Sequence, residues 1–320
     1  MKKMHHVLAG VALAASFAAS APALAADTLK MAIGQRGNWD SVVAQLGSDA
    51  GIFKKHDIEL ELLYTQGGGE TMQAVISNSV DIGVAAGTIG VMAAFQKGAP
   101  VRIIGAQATG AADFWYVRSD SPLKSIKDAT ADTTIAYSTN GASTNSIVLG
   151  YIKEYGLKSK AVPTGNPSST FTQVMSGQVD VGWSSPPFGF DALKANKIRI
   201  VARANDVPDI RKESIRTLIA NASVLERKRE ALDRFMAAYR ETIDWMYDSE
   251  DALQAYAKFN KIDLETARQV RDEFFPKSLI DPDKMSGLDL LMAEGVEFKA
   301  LARPLTQEQL DTLIQIPPRK

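Results

Sequence analysis

The chain of 320 residues carries 36 Lys and Arg against 37 Asp and Glu, a formal net charge of −1, and it contains no cysteine. The lack of cysteine excludes disulfides, thiolate metal sites, cysteine nucleophiles and a lipid attached to an N-terminal cysteine. The charge is nearly balanced and forms no basic stripe, so nothing indicates a nucleic-acid partner.

The first 25 residues are typical of a secretory signal peptide. Lys2 and Lys3 precede an apolar run over residues 7–17, and the small-residue site 23–25 predicts cleavage after Ala25. The run is shorter than the roughly 20 apolar residues that a transmembrane helix needs. We therefore expect an exported protein that loses residues 1–25.

Histidine is almost absent from the mature chain, because His5 and His6 lie in the signal segment and only His56 remains. A Ser-His-Asp hydrolase would depend on this one residue, which lies in a charged turn. No ligand-type residues have metal-binding spacing, and residues 281–283 are typical of a turn and helix cap. We predict no catalytic residues, no metal and no cofactor, although catalysis by carboxylates alone stays open.

β-rich runs alternate with amphipathic stretches along the chain. The sequence predicts strands at 28–34, 58–65, 81–86 and 100–108, with helices from Asn38 to Leu46, at 67–78 and at 90–98. The same plan starts again after the aromatic run 113–120, with strands at 133–138, 179–184 and 198–202 and helices within 139–156, 168–177 and 187–196. This alternation indicates parallel, doubly wound sheets.

Two nearly identical phrases mark the repeat: "SNSVDIGV" over 77–84 and "SGQVDVGW" over 176–183. Each ends a helix and begins a strand. Asn78 and Gly177 fall where a left-handed helix cap is expected. Asp81 and Asp180 are expected to accept hydrogen bonds from free backbone N–H groups.

The fold class is therefore α/β, with two similar doubly wound lobes joined by two hinge crossovers and a helical C-terminal tail. One more strand at 216–220 precedes the tail, Ser223 is predicted to cap its first helix, and an apolar stripe runs from Leu225 to Met246. We expect lobe I to comprise residues 26–112 and 216–320, and lobe II residues 113–215.

Several segments, taken in order, resemble the periplasmic substrate-binding proteins of ABC importers. They include "SDAGIFKKHDIELELLYTQGGGETMQAVISNSVDIGVAA", "FQKGAPVRIIGA", "SPLKSIKD", "MSGQVDVGWSSPPF" and "LIANASVLERKREALDRFMAAYRETIDWM". The chain is most similar to the branch with sulfonate, taurine, nitrate and pyrimidine-precursor binders. This resemblance implies a type II periplasmic binding protein that closes on a small solute and passes it to an ABC permease in the inner membrane. Some relatives are pyrimidine synthases with a cysteine-rich motif, which this sequence lacks.

A ligand of such a fold is expected beyond the carboxyl ends of the strands, near helix N-termini. The loops at 34–39, 66–71, 86–89 and 138–144 qualify by position, and the resemblance adds the "WSSPPF" segment at 183–188. The "GGGE" loop matches no nucleotide motif and favours an anion head instead. The predicted ligand-binding residues are Gln35, Arg36, Trp39, Gly68, Gly69, Thr71, Gly87, Thr88, Ser138, Thr139, Asn140, Ser143, Thr144, Trp183, Ser185 and Phe188.

The character of these loops suggests a small anion. Arg36 is the only arginine in the first four loops, and its planar guanidinium suits a carboxylate or a sulfonate. The alternative is that Arg36 is a plain surface charge. Trp39, Trp183 and Phe188 could wall an apolar portion of the solute, whereas Trp115 and Tyr116 are expected to pack at the hinge.

We thus expect a monomeric, periplasmic solute-binding protein without enzymatic activity. An exported enzyme on the same fold, acting on a small acid, is the main alternative, and a sensor partner that uses the closed form is a third.

Overall fold

The computed structural model of the protein describes residues 26–319, and the predicted signal peptide lies outside the described residues. The strands are β1 Asp27–Ile33, β2 Ile58–Tyr64, β3 Ile82–Gly87, β4 Val101–Ala108, β5 Phe114–Arg118, β6 Thr134–Tyr137, β7 Lys160–Pro163, β8 Gly182–Ser184, β9 Ile198–Arg203 and β10 Arg216–Asn221. The helices are α1 Val43–Asp49, α2 Ile52–Lys55, α3 Gly68–Ile76, α4 Thr88–Gln96, α5 Ser143–Glu154, α6 Pro167–Met175, α7 Phe190–Lys194, α8 Ala222–Arg227, α9 Arg229–Asp248, α10 Glu250–Asn260, α11 Leu264–Gln269, α12 Leu288–Glu297 and α13 Gln307–Leu313.

The first sheet has the strand order β2-β1-β3-β10-β4. Strands β1, β2 and β3 run parallel, as the alternation with helices predicts. Strand β10 lies antiparallel between β3 and β4, because the chain returns to this sheet from the opposite direction. The expectation of parallel sheets is therefore wrong for β10, and it is wrong for β5 of the second sheet in the same way.

The second half of the fold repeats this arrangement. Strands β6 and β7 are parallel, and β8, β5 and β9 form an antiparallel set. Backbone hydrogen bonds of Val181, immediately before β8, join the two sets: its N–H donates to Thr134 O and its carbonyl accepts from Ala136 N. The resulting order β7-β6-β8-β5-β9 matches the first sheet position by position, with β5 in the place of β10.

The repeated phrases occupy equivalent places in the two sheets, before β3 and before β8. Asn78 and Gly177 adopt left-handed backbone conformations, with φ of 59° and 75°. Asp81 Oδ2 accepts from Lys30 N at 3.0 Å, and Asp180 Oδ2 accepts from Thr134 N at 2.8 Å. Both aspartates thus join the start of a strand to the neighbouring strand, as predicted.

The chain crosses between the sheets twice, over residues 109–113 between β4 and β5 and over 204–215 between β9 and β10. These are the two crossovers that the sequence predicts. Two connecting segments of this kind permit rigid-body rotation of one lobe against the other.

The helical tail packs against the first sheet, where α9 contacts α1 and α2. The predicted apolar stripe is buried from Leu225 to Met246, but Lys228 interrupts it between α8 and α9. Full burial of each large apolar side chain contributes about 1.5–3 kcal/mol. The cap of α8 is Asn221 rather than Ser223, because Asn221 Oδ1 accepts from the Ser223 N–H.

Two further local predictions are wrong. Asn38 does not start a helix: its Nδ2 donates to Gln35 Oε1 at 2.9 Å, residues 34–42 form turns, and α1 begins only at Val43. Strand β7 has no counterpart in the sequence prediction. It is short, and it pairs only with β6.

Candidate functional site

Loops from both sheets meet at the carboxyl ends of their parallel strands. The loops 34–39, 66–71 and 86–89 of the first sheet face the loops 138–144 and 183–188 of the second. We call the space between these two sets of loops the cleft. In open α/β sheets, this edge is where ligands bind.

Direct hydrogen bonds cross the cleft. Gly69 N donates to Thr139 Oγ1 at 3.0 Å, and Asn166 Nδ2 donates to Gln66 Oε1 at 2.8 Å. Thr139 and Gly69 were both predicted as ligand-binding residues, and the structure brings them together. The two lobes are therefore in contact along the rim of the cleft, as in a closed binding protein.

Glycines make this contact possible. A Cβ on Gly69 would lie less than 3.0 Å from the Asn140 carbonyl oxygen, and a Cβ on Gly87 would lie 2.6 Å from Gly141 O. Gly90, in the first turn of α4, approaches Gly141 in the same way. Any larger residue at these positions would hold the lobes apart, because the opposing atoms belong to backbone.

The hydroxyl groups of Ser138, Ser143 and Thr144 near the start of α5 are buried, and each has a hydrogen-bond partner within the protein. Thr144 Oγ1 accepts from Ser138 N at 3.0 Å and lies 2.8 Å from Ser138 Oγ. Ser143 Oγ accepts from Arg216 Nε at 2.9 Å. Asn140 is exposed, and its Oδ1 accepts from the Tyr137 hydroxyl. These contacts fix the loop 138–144 and join it to Arg216 at the start of β10.

The remaining small and polar residues of the prediction line the first side of the cleft. Thr71 is fully buried, with its Oγ1 2.8 Å from Thr65 Oγ1. Thr88 is buried and donates its hydroxyl to Ser214 O in the second crossover. Gly68 follows the N-cap of α3 and packs on the end of β3, where a Cβ would meet the Ala85 carbonyl.

Arg36 does not provide a buried anchor for an anion. Its side chain is exposed, and its guanidinium lies over the rings of Phe259 and Tyr64, 4.4 and 5.4 Å from their centroids. These cation–π contacts place the charge against α10 and the end of β2. The structure thus agrees with the alternative, a surface charge.

The predicted aromatic residues divide between core and cleft. Trp39 is fully buried against Tyr247 and Tyr256, and Trp183 is fully buried with its Nε1 donating to Gly165 O at 3.2 Å. Phe188 is half-buried, and its ring lies 3.1 Å from the position of a Cβ on Gly37. Phe188 therefore lies against the loop after β1 in the opposite lobe.

The two aromatics expected at the hinge lie inside the second lobe instead. Trp115 Nε1 donates to Ala136 O at 2.8 Å, and its ring packs edge-on against Tyr151. Tyr116 lies over Gly182 of β8. Because both belong to β5, which lies between β8 and β9, their side chains stabilise the sheet rather than the crossover.

Sequence reasoning missed the most buried charges of the cleft. Arg216, Asp40 and Asp113 are each 1% exposed, and Arg216 begins β10 directly beside Gly87. Its Nη2 donates to Asp113 Oδ2, and its Nη1 lies 3.5 Å from Asp40 Oδ2. Gln107, at the end of β4, donates from Nε2 to Asp40 Oδ2 at 2.8 Å.

We call Asp40, Gln107, Asp113, Ser143 and Arg216 the buried polar cluster. It joins the loop after β1, the end of β4, the first crossover, the start of β10 and the second lobe. Burial raises the pKa of Asp40, and the nearby Asp113 carboxylate adds to this, while Arg216 opposes it. Burial alone lowers the pKa of Arg216, but the charges of Asp113 and Asp40 raise it overall. The signal available in the sequence was a charged residue immediately before β5, Asp113, and another at the start of β10, Arg216.

Ser185 and Gln35 complete the predicted set. Ser185 is fully buried in the loop after β8, and its Oγ has no hydrogen-bond partner within the described residues. Gln35 is buried and accepts from Asn38 through Oε1. Both lie in loops that border the cleft.

The described residues 26–319 contain no group of three or more His, Cys, Asp or Glu arranged to hold a metal ion. Over the same range, no helix is long and apolar enough to cross a membrane.

The profile of the NMT1/THI5-like family matches residues 16–252, which is well over half of the chain. The chain belongs to the NMT1/THI5-like family. No curated protein matches it. The family match ends within α10, so it includes both sheets and every loop of the cleft.

Solved structures with the same fold as this NMT1/THI5-like protein include periplasmic binding proteins. The alkanesulfonate-binding protein SsuA from Xanthomonas axonopodis pv. citri, bound to MOPS, is 15% identical with a TM-score of 0.74, over 90% of this chain and 98% of that one. The aliphatic sulphonate binding protein SsuA from Escherichia coli is 18% identical with a TM-score of 0.68, over 92% and 93%. The nitrate-binding protein NrtA from Synechocystis PCC 6803 is 13% identical with a TM-score of 0.68, over 90% and 86%.

These likenesses confirm the resemblance to the sulfonate and nitrate branch and the periplasmic binding protein fold. At such low identity they concern the fold alone. The solute of this chain has to be argued from its own cleft.

Proposed function

We propose that this protein is the solute-binding component of an ABC import system. It captures a small solute in the cleft between lobe I, residues 26–112 and 216–320, and lobe II, residues 113–215. It then delivers the solute to a permease in the inner membrane. The protein acts in the periplasm as a monomer, after cleavage near Ala25.

One observation carries the proposal: the loops of both sheets close over a polar cluster that is buried at the crossovers. A site of this kind is accessible only when the lobes separate, so solute binding and closure are coupled. The family and the fold of the solved relatives support the same role.

The alternative of an exported enzyme requires acids that can reach a substrate. The carboxylates of Asp40 and Asp113 are both held by Arg216. A second buried pair, Glu213 and Glu294, lies beside a cavity of about 10 Å³, which is no larger than one water molecule. Asp40 and Asp113 are thus both paired with one cation, and Glu213 and Glu294 have no room for a substrate beside them, so we propose binding without turnover.

The test uses the mature chain, residues 26–320. Native mass spectrometry would identify a co-purified solute, and a thermal-shift panel of small organic anions, cations and neutral compounds would find ligands. A ligand at a hundred times its Kd stabilises the protein by about 2.7 kcal/mol, which shifts the Tm by a few degrees.

Small-angle X-ray scattering then separates transport from other roles. We expect the radius of gyration to fall when the solute is added, because the lobes close. A ligand that is consumed during the titration would support the enzyme instead. No ligand, no co-purified solute and no compaction together would refute the proposal.

Two arginine variants, measured with the same panel of compounds, test the prediction that Arg36 anchors an anionic solute. Arg36→Ala removes the predicted anchor, and Arg303→Ala removes another exposed arginine, one in the C-terminal tail. Because Arg36 stacks on Phe259 at the surface, we expect both variants to keep the wild-type affinity. A loss of anion binding in Arg36→Ala alone would restore Arg36 as the anchor.

A further inference from the structure

The buried polar cluster contains more negative than positive charge. It holds two carboxylates, Asp40 and Asp113, and one guanidinium, Arg216, each 1% exposed. Every nitrogen of Arg216 already has an acceptor: Nε on Ser143, Nη1 on Asp40 and Nη2 on Asp113. The guanidinium is therefore committed to the protein.

The same region contains buried acceptors that have no donor. Asp113 Oδ1, Gln107 Oε1 and Asn38 Oδ1 are fully buried and lack a hydrogen-bond partner within the described residues. The orientation of Gln107 is fixed, because its Nε2 faces the Asp40 carboxylate and Ser41 Oγ. Buried polar atoms without partners are rare in folded proteins, and each calls for a donor from a ligand, an ion or an ordered water.

Donors are scarce among the unpartnered atoms of these loops. The Ser185 hydroxyl can either donate or accept. Trp39 Nε1 is a donor, but its ring packs between Tyr247 and Tyr256 of the helical tail. The cleft thus requires a solute that brings hydrogen-bond donors.

We propose that the cleft selects a small organic cation that carries N–H donors, such as a primary ammonium or an amidinium. Asp113 Oδ1 is the charge partner, and Gln107 Oε1 and Asn38 Oδ1 are neutral acceptors for the same head group. This inference rests on the proposed function. A sulfonate or carboxylate would add a further negative charge beside Asp113 and leave all three acceptors unpaired.

The first experiment compares head groups on one ring. Calorimetric titration of the mature chain with benzylamine, benzamidine, benzyl alcohol, benzoate and benzenesulfonate isolates the effect of charge and of N–H donors. We expect the two cations to bind at least tenfold more tightly than the two anions. The reverse order would overturn the inference and leave the proposed solute-binding function intact.

Two variants assign the effect to the cluster. Asp113→Asn is expected to weaken cation binding about a hundredfold, because a buried charge partner is lost. The matched control Asp132→Asn changes an exposed aspartate of the second lobe and is expected to have no effect. Equal losses in both variants, or none in Asp113→Asn, would refute the role of Asp113.

Asp113→Asn also removes a partner of Arg216 and could unfold the protein, so a second variant adds charge instead. Asn38→Asp, with folding checked by circular dichroism, is expected to tighten cation binding and weaken anion binding. A change in the opposite direction would contradict the inference.

If no ring compound binds, native mass spectrometry of the co-purified solute decides. A solute with a basic nitrogen supports the inference, and a purely anionic one overturns it. No solute, no bound compound and no compaction would defeat the proposed function itself.

Discussion

Replacing Glu213 with glutamine should stabilise the folded protein at pH 9 and change its stability little at pH 5. Glu213 lies in the second crossover with 0% exposure, and neither carboxylate oxygen has a hydrogen-bond partner within the described residues. Burial, followed by the charges of Glu294 and Asp209, raises its pKa from 4.5 to about 8, although Lys153 opposes this. Burial likewise raises the pKa of Glu294 on α12 to about 7.

The sign follows from comparing the folded and unfolded chains. The unfolded carboxyl ionises above pH 4.5, whereas the folded one keeps its proton up to about pH 8. The contribution to stability is therefore fully present below pH 4.5 and is lost as the pH rises through 8. The difference between 4.5 and about 8, at about 1.36 kcal/mol per pKa unit, corresponds to about 5 kcal/mol. Because Glu213 and Glu294 repel each other, this is an upper limit for Glu213 alone.

Urea unfolding at pH 5, 7 and 9, followed by circular dichroism, measures the effect. Glutamine has the same shape but stays neutral, so Glu213→Gln and wild type should have similar stability at pH 5 and differ by several kcal/mol at pH 9. Glu59→Gln, which changes an exposed residue of β2, is the matched control. If the wild type and Glu213→Gln show the same pH dependence, the reasoning from burial is wrong.

Three other variants test the cleft and the repeat. Gly69→Ala places a methyl group against the backbone of the opposite loop. It should keep the lobes apart in scattering experiments and weaken solute binding at least tenfold. The control Gly150→Ala, whose Cβ would lie 3.8 Å from its nearest neighbour, should change neither. Normal compaction of Gly69→Ala would contradict the closed contact. Asp180→Ala frees a backbone N–H of β6 and should lower the free energy of unfolding in urea by about 1 kcal/mol, and an unchanged stability would contradict the structural role of Asp180. Arg216→Met leaves two buried carboxylates without their cation and should cost about 3–5 kcal/mol, and an unchanged midpoint would show that they are not ionised together.

The repeat could be predicted because it depends on local chemistry. The left-handed caps at Asn78 and Gly177, and the aspartates three residues further on, act on neighbouring backbone. Their spacing is therefore visible in the sequence. The equivalence of the two sheets follows from the same phrases.

The buried polar cluster could not be predicted in this way. Asp40, Asp113 and Arg216 are far apart in the sequence, and only the return of β10 to the first sheet brings them together. Arg36 was chosen because it is the only guanidinium in the four candidate loops, whereas Arg216 begins a mostly apolar strand. Loop position alone does not distinguish a stacked surface arginine from a buried one.

The caps at Asn38 and Ser223 show a related limit. Both residues are good capping types, but the earlier Asn221 accepts from the Ser223 N–H, and Asn38 caps no helix because turns continue to residue 42 before α1 begins. Which of two adjacent polar residues caps a helix depends on the path of the preceding chain.

The central position of β10 determines the order in which a nascent chain can fold. All strands of the second sheet come from one continuous segment, whereas the first sheet has to wait for β10 before β4 can join β3. A chain that emerges from its N-terminus can therefore complete the second lobe while the first is still open at its centre. Since Arg216 is the first residue of β10, the step that completes the first sheet also delivers the only cation of the buried polar cluster.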